Sequence, residues 1–302
     1  MFFSCLAACD STFLNQTIYS VGVKPMSVAV ADVNSDNKPD IVIANQASNS
    51  TSVLLNIGTG TFSPQVTYSV DGNPCAIVVA DLNSDNKPDI VTANRGSNTI
   101  SVLLNVGNGT FSPQVTCPVG VNPQSVVVAD VNSDNESDIV TANAGSHTIS
   151  VLLNTGNGNF SPETSYSVGW APHSVVVADV NSDNNLDIIT ANIGSNTTGV
   201  LLNIGNGTFS SQTEYSVDGN PRSVAVADIN SDSKPDIVIA NQASNTISVL
   251  LNVGNGTFSS QTTYPVGAIP GSVAVADVNS DNKPDIVVAN VGEDTVSVLL
   301  HC

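Results

Sequence analysis

One nine-residue stretch, Asp32-Val33-Asn34-Ser35-Asp36-Asn37-Lys38-Pro39-Asp40, constrains this chain more than any other. It returns with first residues Asp32, Asp81, Asp130, Asp179, Asp228 and Asp277, a constant step of 49 residues without insertion or deletion. So fixed a period means a repeat architecture, in which each unit hides its apolar surface against its neighbours.

The stretch collects hard oxygen donors. Carboxylates stand at positions 1, 5 and 9: Asp32, Asp36 and Asp40, then Asp81, Asp85 and Asp89, Asp130, Asp134 and Asp138, Asp179, Asp183 and Asp187, Asp228, Asp232 and Asp236, and Asp277, Asp281 and Asp285. An amide oxygen stands at position 3, from Asn34, Asn83, Asn132, Asn181, Asn230 and Asn279. Like charges packed into a tight turn repel by roughly 4 kcal/mol per close pair at an effective dielectric near 20, and a divalent cation relieves that strain. Calcium accepts six to eight oxygens in flexible geometry, whereas magnesium demands a stricter octahedron. Up to six calcium ions are expected. An Asp/Asn-rich solvated turn is the plainer alternative for one copy, but six copies with every oxygen in place argue against it. An EF-hand is excluded, because its position 12 needs a bidentate Glu and Ile43 stands there. Position 6 carries Asn in five copies and Ser233 in the sixth. Asn enters the left-handed region more readily than Ser, so the loop at Asp228 is expected to be the weakest.

The net charge of −19 follows from the same loops, whose ligand aspartates are 18 of the 26 acidic residues. Six calcium ions would supply twelve positive charges and leave −7. Of the seven Lys and Arg, four lie in the acidic loops, so nucleic-acid binding through a basic patch is disfavoured. No apolar run reaches membrane-spanning length. Residues 1–8 (MFFSCLAA) resemble the tail of a secretory signal without its basic start, and are read as a tail or signal remnant.

Within a repeat, Ser27–Ala31 alternates as a strand, Ile41–Ala44 is a continuous apolar run, and Thr51–Leu55 follows a polar turn. Gly58-Thr59-Gly60 marks a hairpin, and Phe62–Val70 reads as a fourth strand. Nothing has helical periodicity. Four antiparallel strands per 40 to 50 residues is the arithmetic of a β-propeller. Residues 9–302 hold six such units, cut so that Thr12–Val21 is a fourth strand lacking its first three and Ser272–Leu300 supplies three lacking a fourth. The expected fold is all-β: a single six-bladed propeller over residues 9–302, closed by the N-terminal strand. In repeat register Cys9 and Cys302 become neighbours, and a disulfide between them, for which Cys5 is a competing partner, would close a loop of nearly the whole chain, worth more than about 4 kcal/mol. Cys75 and Cys117 are read as unpaired. A disulfide, calcium loops and the sequons at Asn15, Asn49, Asn108, Asn196, Asn206 and Asn255 agree on a secreted protein.

The unit SVAVADVNSDNKPDIVIAN, with SVLLN and GNGTF downstream, resembles the FG-GAP/VCBS repeat, the calcium-loop propeller of integrin α-subunit heads and many secreted proteins. The resemblance covers residues 9–302. It implies a further ligand from the carbonyl of position 7, here Lys38, Lys87, Glu136, Asn185, Lys234 and Lys283. Two departures stand out: position 6 lacks the family's usual Gly, and integrin heads have seven blades rather than six.

Calcium loops would then rigidify one face and leave the other to bind. On that other face the six-fold pattern is broken by Trp170, His173, His147, Arg222 and Arg95, an aromatic with polar neighbours suited to a sugar ring or a peptide side chain. The expected role is a non-catalytic, adhesion- or lectin-like binder of a glycan or an extracellular protein. A polysaccharide- or phosphoester-acting enzyme is the alternative, weakened because neither His147 nor His173 has an evident Ser or carboxylate partner; a structural module of a larger extracellular protein is the third reading.

Overall fold

The computed structural model describes residues 16–301, and among them every regular element is a β-strand. The first sheet contains Pro25–Ala31, Asp40–Asn45, Ser50–Leu54 and Val66–Ser69, hydrogen-bonded antiparallel in that order. Four more four-stranded sheets follow, opening at Pro74, Pro123, Pro172 and Pro221. The sixth has three strands, Pro270–Ala276, Asp285–Asn290 and Thr295–Leu299. The second strand of each sheet is the apolar run read from sequence, and in the interior sheets every residue of it is buried.

The fourth strand differs from its expectation. Phe62 belongs to a small separate hairpin, Asn56–Gly58 with Thr61–Phe62, and pairing resumes only at Val66. The break recurs whether Pro64, Pro113 and Pro162 or Ser211 and Ser260 stand two residues after the Phe; common to all is the Ser next to it, Ser63 accepting Leu55 N–H on its hydroxyl at 3.1 Å as Ser112, Ser161, Ser210 and Ser259 do from their own Leu. Freed from the sheet, the Phe ring becomes a plug between repeats. Tyr68 meets Phe111 edge to face at 5.4 Å, and Tyr19–Phe62, Tyr166–Phe209 and Tyr215–Phe258 repeat that contact at 5.5 Å. In the remaining pair of this series the Tyr position is taken by Cys117, opposite Phe160, and the ring contact is missing there.

The core lies between sheets rather than inside any one of them. Val33, Val42, Ala44 and Val53 of the first sheet pack with Ile77, Ile90, Leu103 and Phe111 of the second, and four further clusters fill the next four junctions. The first strands of successive sheets stand side by side from first to sixth, forming an inner rim. Ser27, Ser125, Ser174 and Ser223 stitch that rim, each hydroxyl oxygen accepting an amide from the next sheet's first strand at 3.3–3.4 Å.

At the two ends of the array the apolar faces are bare. Val28 and Val30 of the first sheet are 62% and 64% exposed, and Val296 of the sixth is 62% exposed where its counterpart Ile247 is fully buried. Among the described residues no extensive strand contact joins the sixth sheet to the first, and residues 16–21 form no strand. Tyr19 nevertheless sits on Phe62 as a fourth-strand Tyr should. The rest of the expected closing strand lies outside the described residues, as do Cys9 and Cys302. Cys75 and Cys117 are free, as read from their separation.

The ring absent at Cys117 yields a test. Cys117→Tyr should restore the missing edge-to-face contact with Phe160 and stabilise the fold by about 0.5–1.5 kcal/mol, read as a higher urea midpoint at unchanged slope. A lower midpoint would mean that this junction has closed around the smaller side chain.

Candidate functional site

Each acidic stretch spans the first and second strands of its sheet and is folded by its own side chains. Asp32 accepts the amides of Asp36 at 3.1 Å and Asn37 at 2.6 Å, Asn34 Oδ1 accepts Asp36 N–H at 3.0 Å, and Asp36 Oδ1 accepts Lys38 N–H at 2.9 Å. The backbone passes through the left-handed region twice, at Ser35 (φ 62°) and Asn37 (φ 63°), and does so in all six copies. The bend at position 6 was legible in the sequence. That at position 4, always Ser, was not, because Ser carries no strong preference for positive φ.

The carboxylate at position 9 has a second task. Asp40 is fully buried at the start of its strand; Oδ2 accepts Val33 N–H at 2.9 Å and Oδ1 accepts Asn56 N–H at 2.7 Å, tying the loop to the outer hairpin. Asp89, Asp138, Asp187, Asp236 and Asp285 do the same. Burial pushes the carboxyls of Asp89 and Asp138 up to about 6 and raises Asp187 and Asp236 in the same direction. Asp285, in the end sheet, moves down, chiefly through the His301 amide. A carboxylate whose charge is penalised by burial gains most from a cation beside it.

Asn105 extends the loop to the next sheet. Its Nδ2 donates to Pro88 O at 3.0 Å in its own repeat and to Val33 O at 2.8 Å in the preceding one. Asn154, Asn203 and Asn252 form the same clamp. His301 stands at this register position in the sixth sheet, and its Nδ1 is buried without a partner. Sequence reading missed the clamp; an Asn closing every SVLLN run was the available signal.

Charge differs from loop to loop. Lys38, Lys87 and Lys234 pair with the position-5 aspartates Asp36, Asp85 and Asp232 at 2.9–3.0 Å, and those bonds hold the three carboxyls below their usual range. The loop at Asp130 has Glu136 there instead, with Asn132 Nδ2 on Asp134, and the loop at Asp179 has Asn185. Among the described residues no three acidic, His or Cys side chains are gathered closely enough to hold a metal. The donor set nonetheless suits a hard cation: it is all oxygen, and a carboxylate offers about four lone-pair positions, of which the amides take two.

The opposite face carries the second group of candidates. His147 and Trp170 come together: their rings stack with centroids 5.6 Å apart at 13°, and Trp170 is 68% exposed. His147 holds φ 59° where four other repeats have Asn and the sixth has Asp294, and its Nδ1 accepts Ala171 N–H at 3.1 Å, the bond that Asn98 Oδ1 makes to Asn122. His173 turns inward instead. It follows Pro172 on the inner rim, where burial first, then the charges of Arg222 and Arg95, bring its imidazole down to about 4. Arg95 Nε donates to Asn122 Oδ1 at 2.9 Å, and Arg222 Nη1 to Gln242 Oε1 at 3.4 Å.

Structural comparison places this geometry among known architectures. A lectin from Agrocybe aegerita, described as recognising non-reducing terminal N-acetylglucosamine, superposes with a TM-score of 0.59 at 21% identity, over 91% of this chain and 80% of that one. BBS1N, solved in complex with ARL6DN, gives 0.64 at 15% identity, over 92% and 80%. Virginiamycin B lyase from Staphylococcus aureus gives 0.57 at 14%, over 92% and 85%. These likenesses are of fold. No curated protein matches the sequence. The FG-GAP-like repeat model matches residues 32–92, 81–141, 130–190, 179–239 and 228–288 in overlapping windows. Those windows run from the first acidic loop into the sixth repeat, and the chain belongs to the FG-GAP-like repeat family.

Proposed function

We propose that this protein is a secreted, calcium-stabilised, non-catalytic propeller that binds a glycan or an extracellular protein partner. The observation that carries the reading is the six-fold recurrence of one oxygen-rich loop on one face, each copy shaped by the same internal hydrogen bonds. An ion at each loop would be held by positions 1, 3, 5 and 9 and the position-7 carbonyl. It would draw the carboxylates closer than they stand and offset their repulsion. At ten times its dissociation constant each ion adds about 1.4 kcal/mol, so six would rival the stability of a typical domain. The same reading has residues 12–21 completing a sixth blade, with Cys9 and Cys302 bonded across the seam.

The binding role is supported by the concentration of irregular residues on the face away from the loops and by the lectin among the structural neighbours. Catalysis is disfavoured by the state of the two histidines there. His147 Nδ1 already accepts a backbone amide, and His173 is half-buried and held neutral.

Three measurements bear on this. Adding EGTA should lower the melting temperature by many degrees, with Asp32→Ala alone costing less because five loops remain; an unchanged melt would sink the calcium reading. Calcium titration of single-loop knockouts should rank the loop at Asp130, with its extra Glu136, tightest and the loop at Asp228 weakest, and Ser233→Asn should strengthen the latter. Asn203→Leu removes the bonds to Val131 O and Leu186 O and should cost about 1–3 kcal/mol in urea unfolding, whereas a neutral outcome would show that loops and neighbouring sheets are energetically independent.

A further inference from the structure

The ring contacts between repeats run in register. Each hairpin Phe meets the Tyr of the preceding fourth strand, and the Tyr that receives the next Phe stands six residues after it: Tyr19 takes Phe62, Tyr68 takes Phe111, Tyr166 takes Phe209 and Tyr215 takes Phe258. Tyr264, six residues after Phe258, ends the series. Among the described residues no aromatic ring meets it, and it is 43% exposed where Tyr68, Tyr166 and Tyr215 are half-buried.

Beside Tyr264, between the fifth and sixth sheets, lies a cavity of about 300 Å³ walled by Ile229, Val249, Leu251, Tyr264, Ile286 and Leu299. At the junction of the first and second sheets the same register positions are Val33, Val53, Leu55, Tyr68, Ile90 and Leu103, and all six pack in one cluster with Phe111. Residue for residue, the cavity has the walls of a phenylalanine seat.

A polar group in the same wall asks for backbone. His301 lines the cavity, and its Nδ1 is buried without a partner among the described residues. At its register position Asn56, Asn105, Asn154, Asn203 and Asn252 each accept on Oδ1 the amide two residues further on, at 2.9–3.0 Å. Histidine already replaces asparagine in this way elsewhere in the chain, where His147 Nδ1 accepts a backbone amide as Asn98 Oδ1 does. A buried acceptor without a donor is costly, so an amide belongs opposite His301.

One segment carries both groups in register. Phe13 stands 49 residues before Phe62 and six before Tyr19, and Cys9 stands 49 before Gly58, whose amide Asn56 accepts. Both lie outside the described residues, on a segment joined to Tyr19, whose ring is already on Phe62. A tethered segment has an effective concentration that a separate molecule lacks, and a second copy would bring another charge of −19 against the first.

We propose that the cavity beside Tyr264 is the seat of Phe13, whose ring meets Tyr264 edge to face while the Cys9 amide donates to His301 Nδ1. This rests on the reading of residues 12–21 as the strand that completes the sixth blade, and it names the contact that locks that strand. The series of ring pairs then closes on itself, with Phe13 in the sixth blade and Tyr19 receiving Phe62 of the first.

The full chain with p-benzoylphenylalanine in place of Phe13 is mixed with isotope-labelled wild-type chain, irradiated and mapped by mass spectrometry. Cross-links should join position 13 to the peptides of Leu251, Tyr264 or Ile286 within one chain. Cross-links to labelled chain, to another sheet, or none at all would each overturn the seat. Phe13→Ala and Tyr264→Ala should each lower the urea midpoint, and the double variant should fall short of their sum; full additivity counts against the contact. His301→Asn should hold the midpoint and His301→Leu lower it, and a Leu variant as stable as the parent would overturn the amide bond. Hydrogen exchange tests the blade separately: Thr295–Leu299 protected as well as Thr246–Leu250, without a cross-link at Tyr264, would keep the sixth blade and remove Phe13 from its seat, whereas fast exchange there would remove both.

Discussion

Burial between sheets is the interaction on which the rest depends. A four-stranded sheet of about 20 residues cannot hide its two apolar faces within itself, and here each is covered only by the neighbouring repeat, as Val42 and Val53 are by Ile90 and Phe111. Removing one such side chain from water is worth about 1.5–3 kcal/mol, and each junction gathers seven to ten of them. Cohesion is therefore a nearest-neighbour sum, strong in the interior and weakest at Val28 and Val296, which no sheet among the described residues covers.

The acidic loops are coupled to those junctions instead of hanging from them. A position-9 aspartate binds the loop amide and the hairpin amide together, and the hairpin's Asn reaches the carbonyl of the preceding loop. Whatever settles one loop is thereby transmitted to the next sheet through short, directional bonds. That coupling keeps the loop face uniform, and the bulged position after each rim proline, where first and second strands shift register, leaves the other face able to diverge. Uniform loops on one side and singular residues on the other are two consequences of one ladder: residues inside it are held by their partners, while the residue at the bulge has none.

Much of this was legible in the chain. Three of the four strands, their order, the acidic turns and the free state of Cys75 and Cys117 follow from a period of two, an unbroken step of 49 and the turn chemistry of Asp, Asn and Gly. Phe62 was misplaced because a ring flanked by strand-forming residues looks like a strand residue; only the break at Ser63 and the partner Tyr19, 43 positions upstream, reveal its part between repeats. Trp170, His147 and His173 were read as falling around one blade boundary; the stacking of His147 on Trp170 at 5.6 Å is what the folded chain adds.

By itself the sequence determined the repeat, its strands and the donors in each loop, because those depend on residues close together in the chain and are said again every 49 positions. Tertiary structure alone decided that Asp40 is buried and doubly bonded, that Asn105 grips a loop 72 residues away, and that the His147 and Trp170 rings stack. The physical reason is that burial and convergence are properties of the space between sheets, and no single repeat encloses that space.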